Sequence, residues 1–298
     1  MHLQWRNFPW AVVLAAAVAT PAFGQANGGS ESAEAVPDLS GVWQHALPGF
    51  EPLASGPTAL VNRSRRENGT GDILKLNGDY SNPILKPEAA EVVKKHGELG
   101  LQGIGDANPR NQCWPIGVPF VFTNGPTQFL QTPDRVTILY MYDHQIRYVR
   151  MNQPHPAQVT PSWYGDSVGH YEGDTLVIDT VGFKVGKYSM VDWYGTPHTE
   201  ALHVVERYRL LDAAAAKDGF DRDAKQHNVA MGAKANPQGK FLQLRFTVED
   251  KGVFTTPWTA TMTYRISPND WEEQACAENI YWYSGKEADV PRATKADF

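Results

Sequence analysis

Four side chains in the middle of the chain have the types that acid–base chemistry needs: His155, Asp179, His203 and Glu206. An imidazole titrates near neutral pH, and a carboxylate shifted toward that range exchanges protons with it. Asp179 lies between Val177 and Val181 on its strand face, which predicts desolvation and a raised pKa. The other reading of Asp179 is a structural carboxylate bonded to loop amides or to an arginine. Glu206 shares a face with Leu202, Val204, Tyr208 and Leu210, so a buried carboxylate there requires a partner. Arg147 is the candidate, either as part of a site or as half of a structural ion pair. Arg147, Trp163, Ser167, His170 and His198 add donors and ring surface that could orient a ligand beside these groups.

Other chemistries fit the spacing less well. His198, Glu200 and His203, with His155 at a distance, invite a metal, and zinc would suit imidazole ligands best. Their spacing is not H-E-x-x-H, whose histidines need helical placement, so no metal and no cofactor is assigned. Ser167 lies in Gly165-Asp166-Ser167-Val168-Gly169, which matches G-x-S-x-G. That motif is a nucleophile elbow only on a strand-to-helix turn, and here it falls inside a predicted hairpin. Phosphate loops and dinucleotide fingerprints are absent from the sequence.

The elements that must position these residues are strands. Asp166 to Glu172 and Thr175 to Val181 flank Gly173-Asp174, the signal of a two-residue hairpin. With that turn, Asp166, Val168, His170, Val177, Asp179 and Val181 share one face. Ser167, Gly169, Tyr171, Leu176, Ile178 and Thr180 share the other, and either face could point inward. Further strands are predicted at 127–132, 136–142, 145–151, 201–211, 241–248 and 258–266, after a first strand opening at Gly41-Val42-Trp43. The strand 258–266 alternates apolar residues with Thr259, Thr261, Thr263 and Arg265, which reads as half-buried. A short helix follows Pro87, with Ala89, Val92 and Val93 as its stripe and Gly97 as its C-cap. The expected fold is mainly β, an antiparallel lipocalin-like barrel or sandwich with a few short helices. Residues 212–240 interrupt the strand rhythm as an insertion; Asp212 caps a short helix over Ala213–Ala216, and the segment serves as a flap or as a plain loop.

Composition bounds the compartment and the partners. Arg6 followed by the apolar run Trp10 to Thr20 and by Ala22-Phe23-Gly24 reads as a signal peptide over 1–24. Residues 25–37 read as a disordered leader and 38–298 as one domain. Cleavage leaves 26 basic against 33 acidic side chains, a net charge of −7. Such a surface disfavours nucleic acid and anionic membrane as partners, and no membrane span is expected after cleavage. The expected partner is a small molecule, in a periplasmic or secreted protein. The two cysteines, Cys113 and Cys276, suit a disulfide in an exported chain, the alternative being two separate buried thiols.

These segments together resemble a family of exported, functionally uncharacterised bacterial proteins. The shared signatures are Asp38 to Trp43 (D-L-S-G-x-W), Cys113-Trp114-Pro115, His155-Pro156, and Trp163 to Gly169 followed by Glu172 to Thr180. They continue with His198 to Arg207 (H-x-E-x-L-H-x-x-E-R), Pro257-Trp258 and Glu273 to Asn279. The Gly-x-Trp of the first strand also resembles the lipocalin signature, in which the tryptophan closes one barrel end. The resemblance implies that His155, Trp163, Ser167, Asp179, His198, His203, Glu206 and Glu278 belong to one pattern. It implies no particular activity. Two functions stay open: an enzyme using acid–base chemistry on a small, partly apolar molecule (lyase, isomerase or non-serine hydrolase), and a non-catalytic lipocalin-like binding protein.

Overall fold

A computed structural model describes residues 36–45, 49–142, 144–227, 239–267 and 271. The segment 1–24 and most of 25–37 lie outside the described residues, as do Cys276 and Glu278. In chain order the elements are β1 (Gly41–Gln44), β2 (Glu51–Pro52), α1 (Pro87–Leu101), β3 (Thr127–Thr132), β4 (Arg135–Tyr140), β5 (Gln145–Met151) and β6 (Asp166–Glu172). They continue with β7 (Thr175–Val181), β8 (His203–Leu211), α2 (Ala213–His227), β9 (Phe241–Glu249) and β10 (Trp258–Ile266). No helix among the described residues is long and apolar enough to cross a membrane.

Nine strands close into a barrel in the order β1-β3-β4-β5-β6-β7-β8-β9-β10, and β1 pairs back onto β10. The fold is therefore mainly β, and of the two expected architectures, barrel or sandwich, it is the barrel. Short β2 joins the same edge of β10 beyond β1, at Ala260 and Thr261. An odd ring of strands cannot alternate direction all the way round. One parallel contact is required, and it falls between β5 and β6. Parallel neighbours need a crossover instead of a tight turn. Residues 152–165 make that crossover and carry His155 and Trp163 with them.

The β6–β7 hairpin has the predicted register, from Glu172↔Thr175 to Asp166↔Val181. Its lumen face is Ser167, Gly169, Tyr171, Leu176, Ile178 and Thr180, so Asp166, His170 and Asp179 lie on the outer wall. The lumen is filled with side chains. Trp43 is fully buried on β1 and donates through Nε1 to the Leu39 carbonyl at 2.8 Å. Phe129 and Tyr208 meet edge to face at 5.1 Å, and Phe246 stands the same way against Phe122 at 5.1 Å. Large rings placed in this way contribute most of the apolar burial that holds such a barrel.

Four local expectations change. Helix α1 runs through Gly97 to Leu101, so Gly97 is a helix-interior residue and not a cap. A Cβ at Gly97 would lie 2.4 Å from Asn77 Oδ1, which shows how closely the helix is seated. Ala89 and Val93 are buried, but Val92 faces solvent. Thr261 and Thr263, on the outer face of β10, are buried as well, because Glu51 of β2 and helix α2 cover them. Asp212 does cap its helix, accepting from the Ala215 amide at 2.8 Å. That helix extends to His227 and packs Ala216 and Phe220 on Phe241, so it lies on the outer wall and not across a barrel end.

Candidate functional site

The crossover, β7 and β8 bring His155, Asp179 and His203 together on the outer wall. His155 Nε2 lies 3.1 Å from Asp179 Oδ1, and His203 Nε2 lies 3.0 Å from the same oxygen. Asp179 pairs in register with Val205, so His203, two residues back along β8, reaches it along a shared face. The cluster extends at both ends. His155 Nδ1 lies 2.6 Å from Asp166 Oδ2, and Arg150 grips Asp166 through both carboxylate oxygens at 2.7 and 2.9 Å. His203 Nδ1 stands 4.0 Å from Glu249 Oε2. Acidic and imidazole groups therefore alternate along the wall: Asp166, His155, Asp179, His203, Glu249.

The electrostatics follow from this alternation. Partial burial opposes ionisation of Asp179, but hydrogen bonds from His203 and His155 outweigh it and hold the carboxyl below its usual range. The expected upward shift is thus reversed; the two valines beside Asp179 do not desolvate it as strongly as the imidazoles stabilise its charge. The Arg150 guanidinium, opposed by burial and helped by His155, keeps Asp166 low. The hydrogen bond to Asp179, against partial burial, pushes His203 above the ordinary histidine value, with Asp179 and Glu249 charges adding to it. An ionised carboxylate only accepts, so His155 needs a proton on each ring nitrogen to bond both Asp166 and Asp179. Asp179 Oδ1 is then an acceptor shared by two imidazole donors, with acid and base one hydrogen bond apart.

Glu206 does not join this cluster. It is fully buried in the lumen, where both its oxygens accept from Arg147, at 2.9 and 2.5 Å. Tyr208 Oη donates to Glu206 at 2.9 Å, and Arg147 Nε donates to Ser167 Oγ at 2.9 Å. Arg147 Nη2 also reaches Thr180 Oγ1. Burial opposes the charge of Arg147, but the Glu206 carboxylate outweighs it and raises the arginine further. Glu206, Arg147 and Ser167 thus form a satisfied internal network, the structural one of the two readings of the Glu206–Arg147 pair, and Ser167 is no surface nucleophile.

The remaining expected residues are spread around this end of the barrel and beyond it. His198 is half-buried, its Nδ1 3.1 Å from the Thr199 carbonyl, and burial pushes its pKa down. His170 is exposed and pairs with Glu172 at 3.0 Å, farther along β6. Trp163 packs edge to face on Trp114 at 5.3 Å, and Trp114 does the same with Tyr188 at 5.3 Å. Lys184 lies over the Trp163 ring at 4.9 Å. Among the described residues, no group of three or more His, Cys, Asp or Glu side chains is arranged to hold a metal ion. The structure adds Arg150, Asp166 and Glu249 to the cluster. Asp166 was legible as a neighbour of Asp179 on one hairpin face; Arg150 and Glu249 depend on the β5–β6 and β8–β9 registers, which no turn signal specified.

No family model, curated protein or solved structure matches the chain.

Proposed function

We propose that the outer-wall cluster is the active site of an enzyme that moves protons on a small, partly apolar molecule. The observation that carries this reading is the sharing of Asp179 Oδ1 by His155 Nε2 and His203 Nε2. His155 turns its Nε2 proton from Asp179 to the substrate as general acid, its Nδ1 proton staying on Asp166. His203 keeps its Nε2 proton on Asp179 and takes a proton from the substrate at Nδ1 as general base, and the shared carboxylate then passes a proton from His203 Nε2 back to His155 Nε2. Asp166 keeps the His155 ring oriented, as a third group orients a base in other acid–base sites. The reaction class is a lyase, an isomerase or a hydrolase without a covalent serine. The resemblance to exported proteins, the N-terminal run and the cysteine pair support a periplasmic or secreted location with Cys113 joined to Cys276.

The test is proton exchange at carbon. Purified protein in D2O is given a small ketone such as cyclohexanone, and deuterium entry beside the carbonyl is followed by NMR. Acceleration is expected, falling about 10²-fold in Asp179→Asn and in His203→Gln. Equal exchange rates in Asp179→Asn and the native protein, both folded, would sink the proposal. A carrier function has one observation in its favour, the half-buried Trp114, Trp163 and Tyr188 rings beside Lys184. A carrier would bind ligand through these rings and show no exchange to lose.

A further inference from the structure

A second site lies away from the outer-wall cluster, between α1, the segment that follows it and the Trp193 loop. A cavity of about 140 Å³ is walled there by the Phe120 and Trp193 rings, Ile104 and Met190, with His96, Asp106 and Asn108 as polar members, the Asn108 amide being bonded to the Asp106 carbonyl and the Asn111 amide. Phe120 and Trp193 stand edge to face at 5.2 Å. Trp193 spends its one donor on Thr123 Oγ1 at 2.8 Å, so it offers the cavity an apolar ring. His96 Nδ1 lies 3.3 Å from Asp106 Oδ2, and Asp106 Oδ1 accepts from the Ala107 amide at 2.7 Å. A carboxylate so placed takes the Nδ1 proton as its partner, which fixes the tautomer and leaves Nε2 as an acceptor. Nε2 makes no hydrogen bond among the described residues. The ring is held from behind: a Cβ on Gly195 would come within 2.6 Å of it.

From this geometry we infer that the cavity binds an uncharged, ring-sized molecule carrying one hydroxyl, which donates to His96 Nε2. Size and lining both point there. An apolar protein cavity of about 150 Å³ accepts benzene, and one anchored acceptor in an apolar pocket selects a ligand with one matching donor. An anion would meet the Asp106 carboxylate and lose its hydration against these walls, and a cation would have to compete with His96 for that carboxylate.

The probe is 4-fluorophenol, with fluorobenzene as its control, followed by ¹⁹F NMR line broadening on the full chain. Saturable binding of 4-fluorophenol is expected, about tenfold tighter than fluorobenzene. His96→Leu should remove that preference and leave fluorobenzene binding in place. Gly105→Leu offers an independent test. Gly105 lines the cavity, a Cβ there meets no atom within 4 Å and its φ is outside the left-handed region, so a larger side chain is accepted beside the cavity without strain on the backbone. That variant should keep its melting temperature and lose both probes, while Asp179→Asn binds them as the native protein does. Absence of saturable 4-fluorophenol binding, or binding undiminished in folded Gly105→Leu, overturns the inference.

Discussion

Asp179 and Glu206 stand on neighbouring strands of one barrel wall and face opposite sides of it. Asp179 pairs with Val205 in register and looks outward, whereas Glu206 looks into the lumen at Arg147. Substitutions at the two carboxylates should therefore separate function from stability. Glu206→Gln strips a buried arginine of its counter-charge and should cost about 3–5 kcal/mol. Asp179→Asn alters a half-exposed group and should leave the unfolding midpoint in urea nearly unchanged. Denaturant titration of both variants checks this; a large loss in Asp179→Asn with a native-like Glu206→Gln would reverse the assignment.

The His203–Asp179 pair sets a pH window. His203 is raised from 6.5, so its contribution is complete below 6.5 and is lost as pH climbs through the higher folded value. Asp179 is lowered from 3.8, so its contribution is complete above 3.8 and disappears as pH falls through the lower folded value. The pair should be fully effective between pH 3.8 and 6.5. Following the His203 Cε1 proton by NMR should give a midpoint above 6.5, dropping toward 6.5 in Asp179→Asn. A native midpoint at or below 6.5 would count against the pair.

On the proposed mechanism Asp166 positions His155, whose Nδ1 lies 2.6 Å from its Oδ2. In Asp166→Asn, an amide facing Nδ1 no longer fixes one ring orientation, and Arg150 loses its carboxylate. Turnover in the deuterium-exchange assay should fall about 10²-fold, with kcat and not KM carrying the loss. The pH–rate profile should move too, because the Asp166 carboxylate, held below its usual range by Arg150, no longer places its charge in the site. An unchanged profile would assign Asp166 to the wall alone.

Gly100 should behave against the usual helix rule. Replacing a helix-interior glycine by alanine ordinarily gains about 1 kcal/mol. Here a Cβ would lie 2.0 Å from the Leu76 carbonyl oxygen, a backbone atom that cannot swing away. Gly100→Ala should instead destabilise by about 1–3 kcal/mol, as overpacking does. Thermal melting decides between the two signs.

Cys113 and Cys276 should be found cross-linked when the protein is purified from an oxidising compartment and digested without reductant. Peptide mass spectrometry reads the pair directly. Two free, alkylatable thiols would return the cysteines to separate roles.

Much of the wall was readable before any coordinates. The Gly173-Asp174 turn sets the β6–β7 register because a two-residue hairpin allows only one. What the pattern could not decide was which face is the lumen. Alternation marks a buried face only when that face is apolar, and here the inner face carries Ser167, Thr180, Arg147 and Glu206, which satisfy one another. The grouping of His155 with Asp179 was open to inference from proximity along the chain; their separation from Glu206 was not. His96 and Asp106 gave no signal at all. One looks like a polar helix position and the other like a loop acid, and only the fold places them at one cavity.

The closure of the barrel has a consequence for how the chain becomes a barrel. Its final seam joins Trp43 near the start of the described chain to Ile266 near the end. Every other ring contact joins ring strands that follow one another in the sequence, with β2 and α1 lying between β1 and β3. A chain emerging from synthesis or translocation can lay down hairpins from β3 onward as they appear, but the seam must wait for β10. Until then β1 is paired with β3 on one edge alone, β2 has no partner strand, and the growing sheet ends in an open edge. Seam formation should therefore be the slowest step of folding, and the stage at which the protein is most exposed to wrong partners.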